Sequence, residues 1–114
     1  MTPFAEKQCT PCRSGAKPLK GEVIRQLTDQ LQPGWQVVDE HYLQREFQFK
    51  DFRQALDFVN QIGAIAEQEN HHPDIQLGYG RVVVQLWTHK IGGLHENDFI
   101  LAAKIDALKP DAGT

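Results

Sequence analysis

The chain is 114 residues long, 40% hydrophobic and 24% charged, with a formal net charge of −3. That describes one soluble-type domain, large enough to bury a core without staples. Nothing in it approaches the roughly 20 apolar residues of a membrane span, and no basic stretch offers a footprint for nucleic acid. The first residues lack the apolar core of a secretory signal, so a cytoplasmic location is the expectation.

Residues 1–18 hold three prolines, two cysteines and a glycine without periodicity, and are expected to be a flexible N-terminal arm. Cys9-Thr-Pro-Cys12 has the spacing of a redox couple or of half a zinc site. It has no strand before it, no helix after it and no second cysteine pair, so two free thiols are the plainer reading. The domain itself is expected over residues 19–110, with a short tail at 111–114.

From Leu19 the pattern turns helical, with Val23, Ile24, Leu27 and Leu31 on one face and Pro33-Gly34 as the stop. Trp35 to Val38 is a short apolar run, Asp39-Glu40 a turn. Leu43, Arg45, Phe47 and Phe49 then alternate with Tyr42, Gln44, Glu46 and Gln48, the period of a half-buried strand. Asp51 followed by Gln54 resembles a capping box opening a second helix. Its expected apolar stripe is Phe52, Leu56, Val59, Ile62 and Ala66, with Phe58 and Ile65 off the stripe on a second buried side.

That helix should stop near Asn70, because Pro73 pushes His72 out of the helical region. Ile75, Leu77 and Tyr79 alternate, Gly80-Arg81 suits a two-residue hairpin turn, and Val82 to His89 is β-rich. After a Gly92-Gly93 loop, a last helix should start near Glu96 and carry Leu101, Ile105 and Leu108. The order helix-strand-strand-helix-strand-strand-helix predicts an α+β sandwich, a four-stranded antiparallel sheet with helices on one face.

The chemistry concentrates between residues 67 and 98. His71 and His72 are adjacent where the second helix gives way to the third strand, so their rings should point to opposite sides. Glu67 lies four residues before His71, the spacing of stacked neighbours on a helix. With the turn at Gly80-Arg81, Val82 falls opposite Tyr79 and His89 roughly opposite His72, which brings three imidazoles to one end of the hairpin. Imidazole is the side chain suited to giving and taking protons near neutral pH. Acid–base catalysis, metal binding and no site at all each remain open on spacing alone. The metal reading is weakened because His-His lacks the helical His-x-x-x-His spacing that aims two rings at one ion. Asp98 either complements the dipole of the last helix or orients His89 across the glycine loop. Trp87, Tyr79 and Phe47 read as core or interface rather than as a substrate platform.

At these positions the chain resembles the pterin-4a-carbinolamine dehydratase family. The matching pattern is an acidic residue, His-His-Pro, an aromatic, a His and an Asp: Glu67, His71, His72, Pro73, Tyr79, His89 and Asp98. The resemblance covers most of Leu19 to Leu108, and the Cys9/Cys12 arm also resembles that of many bacterial members. It implies a lyase that removes water from 4a-hydroxytetrahydropterin, with no metal and no organic cofactor. By that resemblance His71 and His89 are the acid–base pair, His72 and Pro73 mainly bind the pterin, and Asp98 and Glu67 orient or polarise the histidines. It further implies a homodimer or homotetramer and a pathway link to aromatic amino acid hydroxylases. A non-catalytic pterin-binding or oligomerising module, including a role in molybdenum-pterin metabolism, is the alternative. Two positions depart from the family pattern. His95 stands where Thr or Ser commonly caps the last helix, and adds a fourth imidazole. Lys20-Gly21 stands where the first helix often has Thr or Ser.

Overall fold

The computed structural model describes residues 17–108. Its elements are α1 (Gly21–Thr28), β1 (Gln36–Val38), β2 (Tyr42–Gln48), α2 (Phe52–Glu69), β3 (Asp74–Gly78), β4 (Arg81–Leu86), a 3-10 turn (His89–Ile91) and α3 (Glu96–Leu108). The strands form one antiparallel sheet in the order β1-β2-β4-β3. The predicted α+β class, element order and four-stranded sheet are what the structure has. The Cys9/Cys12 arm and the tail at 111–114 lie outside the described residues.

Alternation along β2 and β4 sets which side of the sheet is covered. Leu43, Phe47, Val82, Val84 and Leu86 are buried on one face and pack with Ile24, Phe58, Ile62, Phe99, Leu101 and Ile105 of the helices. The period-2 pattern thus becomes a helix-covered face and an open face. α3 is buried well beyond a single stripe, from Asn97 to Ala102 and again at Ile105 and Asp106.

Three local expectations shift. α1 ends at Thr28, and Leu31 is buried from the turn that follows rather than from the helix. Val23, expected on the buried face, is exposed. The buried face of α2 is Ala55, Phe58, Ile62 and Ala66, while Phe52 is exposed and Leu56 and Val59 are half-buried. Both stripes have helical spacing. The one with Phe58 wins because that ring packs against Phe47 of β2 and Phe49 just past its end, at centroid distances of 4.8 and 5.0 Å.

The β3–β4 turn is Tyr79-Gly80, not Gly80-Arg81: Gly78 pairs with Arg81 and Leu77 with Val82. Gly80 takes a φ of +65°, and a Cβ there would sit 2.8 Å from the Phe49 carbonyl oxygen. Only glycine suits both demands. Each residue's partner moves by two places, so every side chain keeps its expected face while the pairs change.

The described residues begin by strapping the far end of the molecule. Leu19 N–H donates to the Leu94 carbonyl at 2.9 Å, and Pro18, expected in the loose arm, packs against Gly93.

Candidate active site

α2 ends where Asn70 adopts a left-handed backbone (φ 53°, ψ 40°), with its N–H and that of His71 both donating to the Ala66 carbonyl. This helix-ending turn reverses the chain and separates the two histidines. His71 swings inward toward α3. Its Nε2 lies 2.6 Å from Asp98 Oδ1, and Asp98 is fully buried. His72 swings outward and pairs with Glu67 across the last turn of α2. The expected Glu67–His71 pair is therefore replaced by Glu67–His72, because the left-handed residue at Asn70 takes His71 off the helix surface.

Asp98 is the centre of the inner network. Its Oδ2 accepts from the Thr88 hydroxyl and from the His95 backbone N–H, both at 2.9 Å. An ionised carboxylate is acceptor-only, so a neutral His71 is fixed as the Nε2–H form. Its Nδ1 carries no hydrogen bond among the described residues, and is the position left to exchange a proton. Of the two readings left open for Asp98, a hydrogen bond to His89 is not among its contacts, which go to His71, Thr88 and His95. Thr88 occupies that place, since it continues the buried series Val82, Val84, Leu86 on the core face. The next residue leaves the sheet.

His89 opens the 3-10 turn and is exposed, so it does not stand opposite His72. Carrying the β3–β4 register two residues outward aligns His72 with Trp87 instead. The His89 ring stands edge-on to Trp87, centroids 4.6 Å apart and planes at 80°. Trp87 in turn contacts His41 and Tyr42, at 5.8 and 5.9 Å. Pro73 is half-buried between His72 and the first residue of β3. Tyr79 is 78% exposed at the hairpin turn, at the opposite end of β3 from the histidines.

His95 accounts for the missing hydroxyl cap on α3. Its Nδ1 accepts the Asn97 N–H at 3.1 Å, while its own N–H donates to Asp98. The imidazole thus does the capping work of Ser or Thr. Among the described residues no three His, Cys, Asp or Glu side chains converge as a metal ligand set. The site offers two differently held imidazoles on the chain leaving α2, a third on the turn after β4, and a buried carboxylate behind the first.

Sequence reasoning passed over Thr88, which the alternation from Val82 could have placed on the inner face. It also passed over His41, which no local signal connects to residue 87.

Comparison with known proteins bears on this geometry. The profile of the family described as "Pterin 4 alpha carbinolamine dehydratase" matches residues 17–108. The chain belongs to that family. Among relatives of this dehydratase family, a protein of Rubrobacter xylanophilus named "Putative pterin-4-alpha-carbinolamine dehydratase" is 57% identical over 108 residues, 95% of this chain and 100% of its own. One of the same name from Alkaliphilus metalliredigens is 49% identical over 106 residues, 93% of this chain and 96% of its own. Among solved structures, the transcriptional coactivator/pterin dehydratase of Brucella melitensis superposes with a TM-score of 0.76 at 36% identity, covering 81% of this chain and 98% of that one. A pterin dehydratase-like protein described as a RuBisCO assembly factor in the alpha-carboxysome superposes with a TM-score of 0.57 at 26% identity, covering 66% of this chain and 88% of that one.

Proposed function

We propose that the protein dehydrates 4a-hydroxytetrahydropterin to the quinonoid dihydropterin by histidine acid–base catalysis. The observation that carries this reading is the hydrogen bond from His71 to the fully buried Asp98, backed by Thr88 and the His95 N–H. A carboxylate held in this way fixes the orientation and the tautomer of an imidazole, which suits a ring that must pass a proton at one defined nitrogen.

The chemistry needs one acid and one base. The C4a–O bond breaks as the hydroxyl takes a proton, and its electron pair leaves with water. The N5–H bond yields its electrons to a new C4a=N5 double bond as a base takes the proton. His71 and His89 fill these two roles, each contributing something like 10²–10⁴-fold. His72, held by Glu67, binds the pterin together with Pro73. No metal or organic cofactor enters the scheme. In the cell the setting is a cytoplasmic homodimer or homotetramer, regenerating the pterin spent by an aromatic amino acid hydroxylase.

The likeness to a RuBisCO assembly factor supports a second reading, a domain that retains the fold for binding or assembly and performs no turnover. Stopped-flow ultraviolet absorbance of synthetic 4a-hydroxytetrahydropterin separates the two. Catalysed decay to the quinonoid product, lowered at least 100-fold in His71→Ala and in His89→Ala, is the expected result. Decay at the spontaneous rate with the unaltered protein rejects the dehydratase and leaves the binding module. Full activity in His89→Ala rejects the assignment of that ring.

A further inference from the structure

His71 is locked by a buried carboxylate and His72 is paired with Glu67, but His89 has no such partner. It is exposed at the start of a short 3-10 turn, and among the described residues its side chain makes no hydrogen bond. An imidazole so placed has no polar anchor for its orientation, and a proton-transfer group loses much of its effect when it is misplaced by even an ångström. Something must narrow its range. The ring contact with Trp87, at 4.6 Å and 80°, is what the structure offers.

Trp87 is itself unusually well braced for a half-buried residue at the end of a strand. His41 lies against it at 5.8 Å with planes 39° apart, and Tyr42 at 5.9 Å and 53°. His41 and Tyr42 also meet each other edge-on, at 5.9 Å and 89°. The brace reaches Trp87 through the β1–β2 turn, where Asp39 and Glu40 both adopt left-handed backbones and His41 N–H closes onto the Val38 carbonyl at 2.8 Å. The β2–β4 register, with Leu43 opposite Leu86, extends to set Tyr42 beside Trp87 on the open face. A hairpin more than forty residues upstream in sequence therefore closes on the tryptophan that stands beside His89.

We propose that Trp87, braced by His41 and Tyr42, is the positioning residue for His89. This rests on the dehydratase reading for its effect on turnover, but the ring geometry can be tested without substrate. The aromatic contact restricts His89 without a hydrogen-bonding partner on its ring among the described residues, whereas a carboxylate partner would occupy one nitrogen. That is the division the two sides of the site display: polar fixing for His71, apolar fixing for His89.

The test uses Trp87→Ala, Trp87→Phe, His41→Ala and the Trp87→Ala/His41→Ala double variant. In steady-state assays Trp87→Ala should lower kcat about tenfold with KM changed by less than about twofold. Trp87→Phe should recover most of the loss, since it restores a ring face. His41→Ala should cost less than Trp87→Ala and nothing further in its background, because it acts through the indole. Independently, the ring-proton resonances of His89 in the full chain should carry an indole ring-current shift that disappears in Trp87→Ala and persists in Trp87→Phe. Unchanged kcat in Trp87→Ala, or His41→Ala adding its full effect in the double variant, would overturn the proposal. So would a His89 resonance that ignores Trp87, whether or not the unaltered protein turns over. A protein without turnover whose His89 resonance follows Trp87 would remove the dehydratase reading alone and uphold the contact.

Discussion

Asp98 has two carboxylate oxygens and three donors aimed at them: His71 Nε2, the Thr88 hydroxyl and the His95 N–H. With no solvent contact, its hydrogen bonds are the substitute for hydration, and none of the three donors is redundant. Asp98→Asn keeps the shape and changes the logic. One of its two polar atoms becomes an NH2 donor, so either the Thr88 and His95 donors or the His71 N–H faces another donor. If the amide turns its NH2 to His71, the ring is driven to the opposite tautomer and its proton-exchanging nitrogen is lost. We expect kcat to fall by about 100-fold or more with the fold retained. Turnover together with the His71 imidazole nitrogen shifts checks this. An Asp98→Asn protein with normal kcat and His71 still protonated at Nε2 would refute the assigned role.

Among the elements, the loop between β4 and α3 decides whether Thr88 reaches Asp98. Thr88 and Gly93 form an isolated antiparallel bridge, with Thr88 N–H donating to the Gly93 carbonyl at 2.8 Å. On its other side Gly93 admits Pro18, and a Cβ at residue 93 would lie 2.6 Å from Pro18 Cβ. Gly93→Ala should therefore destabilise the protein by about 1–3 kcal/mol, as overpacking does. Pro18→Gly, which removes the clashing atoms, should return part of that loss, a non-additivity visible in urea unfolding midpoints. Strict additivity would show that the strap and the loop do not touch.

This element also shows what a sequence can disclose. The antiparallel sheet, its helices and the placing of Glu67, His71 and His72 where α2 gives way to β3 follow from periodicity, caps and spacing, all local signals, whereas an orienting role for Asp98 comes from the family resemblance. The pairings inside the site follow from none of these. Asn70 in a left-handed backbone exchanges which histidine Glu67 holds, and a turn displaced by one residue replaces His89 with Trp87 beside His72. The His41–Trp87 contact depends on β2 and β4 being neighbours, a fact of topology that no local window contains.

At the scale of the whole molecule, one buried charge pair ties together the sheet, the last helix and the turn before β1. Arg45, on the core face of β2, donates from Nη1 to Asp106 Oδ1 of α3 at 2.7 Å and lies over the Phe47 ring at 4.6 Å. Trp35 Nε1–H donates to the same carboxylate at 3.0 Å, and the Gln32 N–H at 3.3 Å. Arg45 occupies a position that alternation assigns to the interior, and Asp106 is what makes it tolerable there. Truncating one partner leaves the other charge stranded, so Asp106→Ala should cost about 3–5 kcal/mol, a large share of the roughly 5–15 kcal/mol that holds a domain together.

The pair also imposes a pH dependence of unusual sign. Burial raises the Asp106 carboxyl above its ordinary range, against the opposing hydrogen bond from Trp35 and the charge of Arg45. The folded protein thus holds that proton more tightly than the unfolded chain does. Its contribution to stability is fully present below the unfolded-chain value, about 3.9, and is lost as pH rises through the folded value. Other carboxylates in the protein titrate over the same range, so the useful quantity is a difference. Unfolding free energies of the natural protein minus those of Asp106→Asn, from urea titrations between about pH 3 and 7, should fall as pH rises. The uncharged amide keeps the packing and has no proton to exchange, which isolates the one group. A difference that rises with pH instead would mean that the charge of Arg45 outweighs desolvation, and that the pair favours the folded state most when Asp106 is ionised.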